Sequence, residues 1–275
     1  MSRLWLPDRH IRLPRRMGIV SSYAGGGAPP PAWAPTDEAS LQLFLDFHDP
    51  AGDGTIPSNG DRVSQVVDKS PNAIVFTQAT TTKQGLYLAN DLDGYGAIDF
   101  DTFAFQKYSS AAASFLSSTT PFTVVMVQRC DFESVMFSHV FAGNSDMHGM
   151  GFFNIPDSTL AYARTALAND QFSYHTGNYP DPYTGTNFYF RMNYNGSGLA
   201  SLSNHAVQYN GVSITPLSTP GSGDRGTTHW ISGYNVADEA LGHDGPKYLT
   251  LFFSDSNPTL DANIDAWVTA RYPSI

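Results

Sequence analysis

The stretch Phe188-Tyr189-Phe190-Arg191-Met192-Asn193-Tyr194 decides the fold. Phe188, Phe190, Met192 and Tyr194 fall on one face of an extended chain, and Tyr189, Arg191 and Asn193 fall on the other. That is the period of a β-strand, not of a helix. The same period recurs on either side. In Pro121-Phe122-Thr123-Val124-Val125-Met126-Val127, Phe122, Val124 and Met126 share one face, and Val125 and Val127 share the other. Near the start, Leu41, Leu43, Leu45 and Phe47 alternate, which predicts that they line one face. Lys247–Phe253 (KYLTLFF) reads as a late core strand. Asn210-Gly211 separates His205–Tyr209 from Val212–Thr215 and is the strongest short hairpin signal in the chain. Clusters of Gly, Pro, Asn and Asp break the intervals. The pattern predicts an all-β antiparallel sandwich or jelly roll.

One helix interrupts it. Asn257 is placed to cap it and Pro258 to occupy its first position. Leu260, Ile264, Trp267 and Val268 then form an apolar stripe. Asp261 and Asp265 lie toward the start and Arg271 at the end, as the helix dipole prefers. The expectation is a short C-terminal helix on the edge or end of the sandwich.

Composition agrees with this reading and excludes much else. The chain has 275 residues, 24 Gly and 18 Pro, with only 15% charged residues and 13% aromatics. It is long enough to bury roughly three quarters of its unfolded surface without staples. Cys130 is the single cysteine, so neither an internal disulfide nor a multi-cysteine metal site is expected; on an apolar strand it reads as an inert core residue. No uncharged apolar run reaches the length of a membrane span. The first twenty residues carry charges throughout, which argues against a secretory signal and for synthesis in a reducing compartment.

Charge divides the chain. Residues 1–16 hold Arg3, Arg9, Arg12, Arg15 and Arg16 against Asp8, a net +4, so residues 17–275 carry −14 of the total −10. Gly25-Gly26-Gly27 forms a joint. The proline-rich run from Ala28 to Pro35 follows as a stiff spacer of about 25 Å. Residues 1–36 therefore read as a basic arm and linker, and residues 37–275 as the sandwich domain. The acidic body disfavours direct nucleic-acid binding by the arm. Leu4, Trp5, Leu6, Ile11 and Leu13 are costly to leave in water. The arm is expected to dock on a partner protein through Trp5, Leu6, Ile11 and Leu13, with its arginines paired to carboxylates.

Between Leu43 and Asp101, three segments carry a resemblance: LFLDFHDPAG, GDRVSQVVDKSPNAIVFTQAT and QGLYLANDLDGYGAIDFD. They resemble the opening of concanavalin A-like (laminin-G/lectin-type) jelly-roll domains of tailed-bacteriophage structural proteins. Arg62–Ser70 fits that family's "V-x-x-W-x-D-K-S" strand, with Val66 in place of Trp. Ile98-Asp99-Phe100-Asp101 fits its "V-x-F-D" motif, and Pro121–Val127 its central strand. Trp230–Tyr234 resembles its "i-G-g-y" segment, and Tyr248–Tyr272 its last strand and closing helix ending in "R-Y". Arg3-Leu4-Trp5-Leu6-Pro7 resembles the leader of small tailed-phage structural proteins. The resemblance covers residues 41–275 and implies a concanavalin A-like jelly-roll fold. It also implies a structural role in a virion, as a capsid decoration or tail accessory, made in the host bacterial cytoplasm. The implied partners are other virion proteins, with further copies of the chain expected too, a trimer among the options; the alternative reading is a carbohydrate-binding module that contacts host surface glycans.

Candidate sites are few. Glucanases of this fold resemble one another in an E-x-D-x-x-E strand, which sets two carboxyl groups about 5–5.5 Å apart. Only Glu38, Glu133 and Glu239 are glutamates here, so that motif is absent and no catalytic residue is assigned. A polysaccharide-degrading enzyme is the least favoured reading. Asp91, Asp93, Asp99 and Asp101 are dense, but lack the ligand spacing of a calcium loop. They read as a turn at 91–96 followed by a strand. Asp46, Asp49 and Asp53 likewise read as a strand end and a Gly-rich turn. The histidines His139, His148, His175, His205, His229 and His243 are scattered, and no metal or cofactor is expected. Tyr179-Pro180-Asp181-Pro182-Tyr183 is a loop by its prolines. His175, Tyr179 and Tyr183 are the candidate glycan or partner contacts, because tyrosine offers a flat apolar face and a polar tip.

Overall fold

The strands Phe122–Arg129 (β7) and Asn187–Tyr194 (β12) pair antiparallel over eight residues, from Asn187 opposite Arg129 to Tyr194 opposite Phe122. A computed structural model describes residues 33–101, 106–110, 120–129, 131, 137–143, 149–154, 160–165, 171–175, 185–197, 205–216, 230–232 and 244–275. In chain order the other strands are β1 (Leu41–Asp46), β2 (Gln65–Val67), β3 (Val75–Thr77), β4 (Leu86–Leu92), β5 (Tyr95–Phe100) and β6 (Lys107–Ser109). After β7 come β8 (Phe137–Gly143), β9 (Gly149–Asn154), β10 (Leu160–Thr165) and β11 (Gln171–His175). After β12 come β13 (His205–Tyr209), β14 (Val212–Pro216), β15 (Trp230–Ser232) and β16 (Gly245–Phe253), then the helix α1 (Pro258–Arg271).

Every strand pair among the described residues is antiparallel. The large sheet runs β4-β5-β16-β7-β12-β13-β14-β11-β10-β9-β8, and a small sheet runs β15-β6-β3-β2. β5 and β1 share one edge of β16. β5 takes Gly245–Lys247, and β1 takes Leu249–Phe253. β15 of the small sheet lies beside β8, at the far end of the large one. The result is the antiparallel β-sandwich that the sequence predicts.

The two faces of the central strands bury different things. Phe122, Val124, Met126, Phe188, Phe190, Met192 and Tyr194 point between the sheets, against Val66, Phe76 and Tyr108. Val125, Val127, Leu249, Leu251 and Phe253 point the other way, against Leu260, Ile264 and Val268 of α1. The helix therefore lies over the outer face of the large sheet, not at an edge or end as its sequence position implied. Its buried stripe matches the apolar strip that β16 and β7 leave uncovered there. Asn257 Oδ1 accepts the Leu260 N–H at 2.9 Å, as a cap should. The helix is too short to cross a membrane, and no described helix is long and apolar enough to do so.

Leu41 corrects a second expectation. It pairs with Phe253 while Leu43 pairs with Phe252, so Gln42 is an extra residue in β1. Such a bulge changes which face the residues before it occupy. Leu41 joins the outer cluster, and only Leu43, Leu45 and Phe47 line the inner one. The Asp68-Lys69-Ser70 motif has a structural task. Buried Asp68 accepts the N–H groups of Phe44 (2.7 Å) and Ser70 (2.8 Å) and the Ser70 hydroxyl (2.7 Å), which ties β1 to the loop after β2. Burial nonetheless raises its pKa above the ordinary carboxylate value.

Of the expected arm and linker, residues 1–32 lie outside the described residues, and with them Arg3, Trp5, Leu6, Arg9, Ile11, Arg12, Leu13, Arg15 and Arg16. Trp33 packs on Phe253 with ring centroids 6.5 Å apart, and Pro35–Asp37 forms a single 3-10 turn.

Candidate functional site

At one end of the large sheet a polar cluster forms on the helix-bearing face. Two backbone irregularities build it. Gly245, with φ +120°, begins β16 so close to the end of β7 that a Cβ would sit 2.5 Å from the Arg129 carbonyl oxygen. Only glycine fits there. Next to it, Asp131 N–H donates to the Asp244 carbonyl at 2.8 Å. The second irregularity is a bulge. Lys247 pairs with Gln128 and Leu249 with Val127, so Tyr248 is the extra residue. Its ring joins the outer cluster beside Leu249. There its Oη lies 2.6 Å from Asp91 Oδ2 and 3.0 Å from Asn187 Oδ1.

Arg129 is the centre. Its Nε and Nη2 donate to the two oxygens of Asp131 at 2.5 and 2.9 Å, a bidentate fork, while Nη1 donates to Asp91 Oδ2 at 3.2 Å. Burial works against its charge, but the bonds to Asp131 outweigh it and hold the guanidinium protonated. Asp99 of β5 completes the group. Burial pushes its pKa up to about 7; Asp131, Asp244 and Asp91 push the same way, and Arg129 opposes them. Asp99 thus carries a proton for much of the time at neutral pH. Tyr248 is raised well above the ordinary tyrosine value, first by burial and then by Asp91.

The cluster gathers planar oxygen acceptors around one fork of donors, the Arg129 guanidinium held by Asp131 and Asp91. Asp131 is exposed, and Arg129, Asn187, Asp244 and Asp91 are half-buried, so the array meets solvent. Such groups match pairs of hydroxyls in fixed relative orientation. Among the described residues no group of three His, Cys, Asp or Glu side chains is arranged to hold a metal ion.

The aspartates singled out by sequence divide among several tasks. The turn between β4 and β5 is Asp93 and Gly94 alone (φ 50° and 86°), shorter than the expected 91–96 because Asp91–Leu92 and Tyr95–Gly96 belong to the strands, and Asp93 accepts from Ser274 N (3.1 Å) and Oγ (2.8 Å). Asp91 and Asp99, on the two strands of that hairpin, both reach the cluster, while Asp101 is exposed. Asp46 and Asp49 hold Lys69 at 3.1 and 2.8 Å, and Asp49 also caps the Gly-rich turn through Gly52 N–H at 3.1 Å. Tyr179, Tyr183, Cys130, His148, His229 and His243 lie outside the described residues. His175 ends β11 opposite Leu160 of β10 and Thr215 of β14. His139 and His205 sit on β8 and β13. Sequence reasoning missed Arg129, Asp131, Asn187, Asp244 and Tyr248. They come from segments far apart in the chain, and the one local signal is a polar pair, Gln128-Arg129, ending an otherwise apolar strand.

No family model and no curated protein matches the chain. Its fold is similar to solved toxin domains. The botulinum neurotoxin serotype C1 binding domain aligns with a TM-score of 0.56 at 12% identity, over 87% of this chain and 53% of that one. The binding domain of Paraclostridial Mosquitocidal Protein 1 aligns at 0.51 and 12%, over 84% and 52%. The botulinum neurotoxin serotype D/C binding domain aligns at 0.50 and 10%, over 87% and 54%. The chain spans about half the length of these neighbours, and likeness at such identity shows the fold alone. The fold is a β-sandwich shared with structures named as binding domains, and these neighbours lend no support to the bacteriophage resemblance.

Proposed function

We infer that the chain is a non-catalytic, lectin-like β-sandwich that binds carbohydrate at the Arg129 end of its large sheet. The Arg129–Asp131 fork, braced by Asp91, Tyr248 and Asn187, carries this reading. It fixes acceptors and donors in the planar pairs that recognise adjacent sugar hydroxyls. The sequence adds Tyr179 and Tyr183 as candidate contacts, because tyrosine offers a flat face on which a sugar stacks. The similarity to structures named as binding domains supports a recognition role over a catalytic one.

A glycan array tests the reading. The expected result is binding in the millimolar to micromolar range, weakened at least tenfold by Asp131→Ala and by the pair Tyr179→Ala with Tyr183→Ala. No binding at high protein concentration refutes it. Incubation with bacterial polysaccharides is expected to release no reducing ends or unsaturated sugars; sustained release would establish an enzyme instead.

The basic leader supports a second, compatible reading. Its +4 charge and its interleaved Trp5, Leu6, Ile11 and Leu13 suit an anchor on a larger assembly, such as a phage particle built in a host cytoplasm. There, repeated copies would add avidity. Deleting residues 1–20 is expected to leave the fold intact and abolish incorporation into particles; full incorporation would remove this reading.

A further inference from the structure

We propose that His48 is the acid-sensitive pin of a latch that fastens the β4–β5 hairpin to the end of β1 and to the C-terminal end of α1. The pin is a hydrogen bond of defined direction. His48 Nδ1 accepts the Gly96 N–H at 2.9 Å. The neighbouring phenol does not compete as a donor, because Tyr87 Oη gives its proton to the His48 carbonyl at 2.8 Å and stands 3.3 Å from Nδ1. The imidazole must therefore be neutral, with its proton on Nε2. A protonated Nδ1 would face the Gly96 N–H donor to donor. Gly96 has no room to turn away. A Cβ there would lie 2.0 Å from Tyr87 Oη and 2.9 Å from the Leu88 carbonyl oxygen. Gly96 is buried, so its N–H has no water to replace the lost acceptor.

The rest of the latch radiates from this point. The His48 ring stands edge-on to Tyr95, centroids 5.3 Å apart, and Tyr95 stands edge-on to Tyr272 at 5.4 Å. The Arg271 guanidinium stacks over Tyr95 at 4.1 Å and donates to Asp46 Oδ1 at 2.7 Å. The charged and titratable groups facing His48 come from every element around it. They are Asp46 and Asp49 from β1 and its turn, Lys69 from the loop after β2, Tyr87 from β4, Tyr95 from β5, Arg271 from α1 and Tyr272, which caps its C-terminus. Burial lowers the His48 pKa; Arg271 and Lys69 add to this, against Asp46 and Asp49. The sign follows. A histidine whose folded pKa is depressed gives stability that is complete above its free value of about 6.5 and is lost as pH falls through the lower folded value. Acid thus pulls the pin. Asp91 and Asp99 ride on the two strands of the released hairpin, so the Arg129 cluster loosens with it. The latch itself does not depend on what that cluster binds.

Amide exchange at Gly96, expressed as protection relative to the intrinsic rate at each pH, reads the pin directly. In the full chain, protection is expected to fall about tenfold between pH 7 and pH 5, since each unit below the free pKa carries up to a tenfold change. His48→Asn keeps an acceptor near the Nδ1 position without titrating, and is expected to stay flat within about threefold. Asp99→Asn removes the hairpin's own group that titrates near neutrality, and is expected to retain the wild-type fall. In the wild type, the NMR titration of the His48 ring and the loss of Gly96 protection are expected to share one midpoint. Flat protection in the wild type, an equal fall in His48→Asn, loss of the fall in Asp99→Asn, or two separate midpoints would each overturn the latch.

Discussion

The two faces of β12 hold the molecule together by different means. On the inner face Phe188, Phe190, Met192 and Tyr194 are buried in an apolar core between sheets. On the outer face Tyr189, Arg191 and Asn193 are also buried, yet polar. Each is matched to α1. Tyr189 Oη donates to Asp265 Oδ1 at 2.7 Å. Arg191 Nη1 donates to the Asp261 carbonyl at 2.8 Å and lies 3.1 Å from the Asp265 carboxylate. Asn193 Nδ2 donates to Asp261 Oδ1 at 2.7 Å and Thr123 Oγ1 at 2.9 Å. The inner face is held by contact area and packing, which tolerate any well-fitting apolar partner. The outer face is held by directional bonds, which admit one helix in one register.

Substitutions separate the two mechanisms. The largest effect is expected on the inner face, where Phe190→Ala leaves a cavity and should cost about 3–5 kcal/mol in urea unfolding. A loss under 1 kcal/mol would mean that this core is loosely packed. On the outer face Arg191→Met should cost less, about 2 kcal/mol, because Asp261 and Asp265 can turn to water once the cation is gone. A double-mutant cycle with Asp265→Ala should return a coupling of about 1 kcal/mol; zero coupling would reduce the polar face to mere coverage.

Asp99 marks the outer end of the sheet with a pH signature. Its pKa is raised from the ordinary 3.8 to about 7. The stability linked to it is therefore present below the unfolded value and lost as pH rises through about 7. Asp99→Asn should gain on the order of 2 kcal/mol over wild type at pH 8, after allowance for partial solvation, and almost nothing at pH 4. Equal effects at both pH values would remove Asp99 from the cluster electrostatics. The smallest effect is expected at the helix start, where Asn257→Ala loses one cap bond worth about 1 kcal/mol. A change in thermal melting much beyond that would show that Asn257 does more than cap.

What was legible in the sequence follows the same division. Alternation identifies the strands and the inner face. Asn210-Gly211, with φ 45° and 75°, makes the expected hairpin turn, and Asn257 caps as expected. These are local choices with local physical causes. The extra residues at Gln42 and Tyr248 are not legible, because a bulge depends on the partner strand's register as much as on its own residues. One bulge moves Leu41 to the outer face; the other delivers Tyr248 to Asp91 and Asn187. The seat of α1 was hidden for a related reason. Arg191 and Asn193 reveal their partners only once Asp261 and Asp265 are brought over them. The candidate site draws on five separate segments, so no single stretch announces it.

The most direct measurement is chemical-shift mapping of the isotope-labelled chain with the best binder from the glycan array. The amides of Arg129, Asp131, Asn187 and Asp244 are expected to shift together and to saturate along one binding curve. Shifts centred instead on the Asn210-Gly211 turn or on α1, or no shifts at millimolar sugar, would contradict the proposed site.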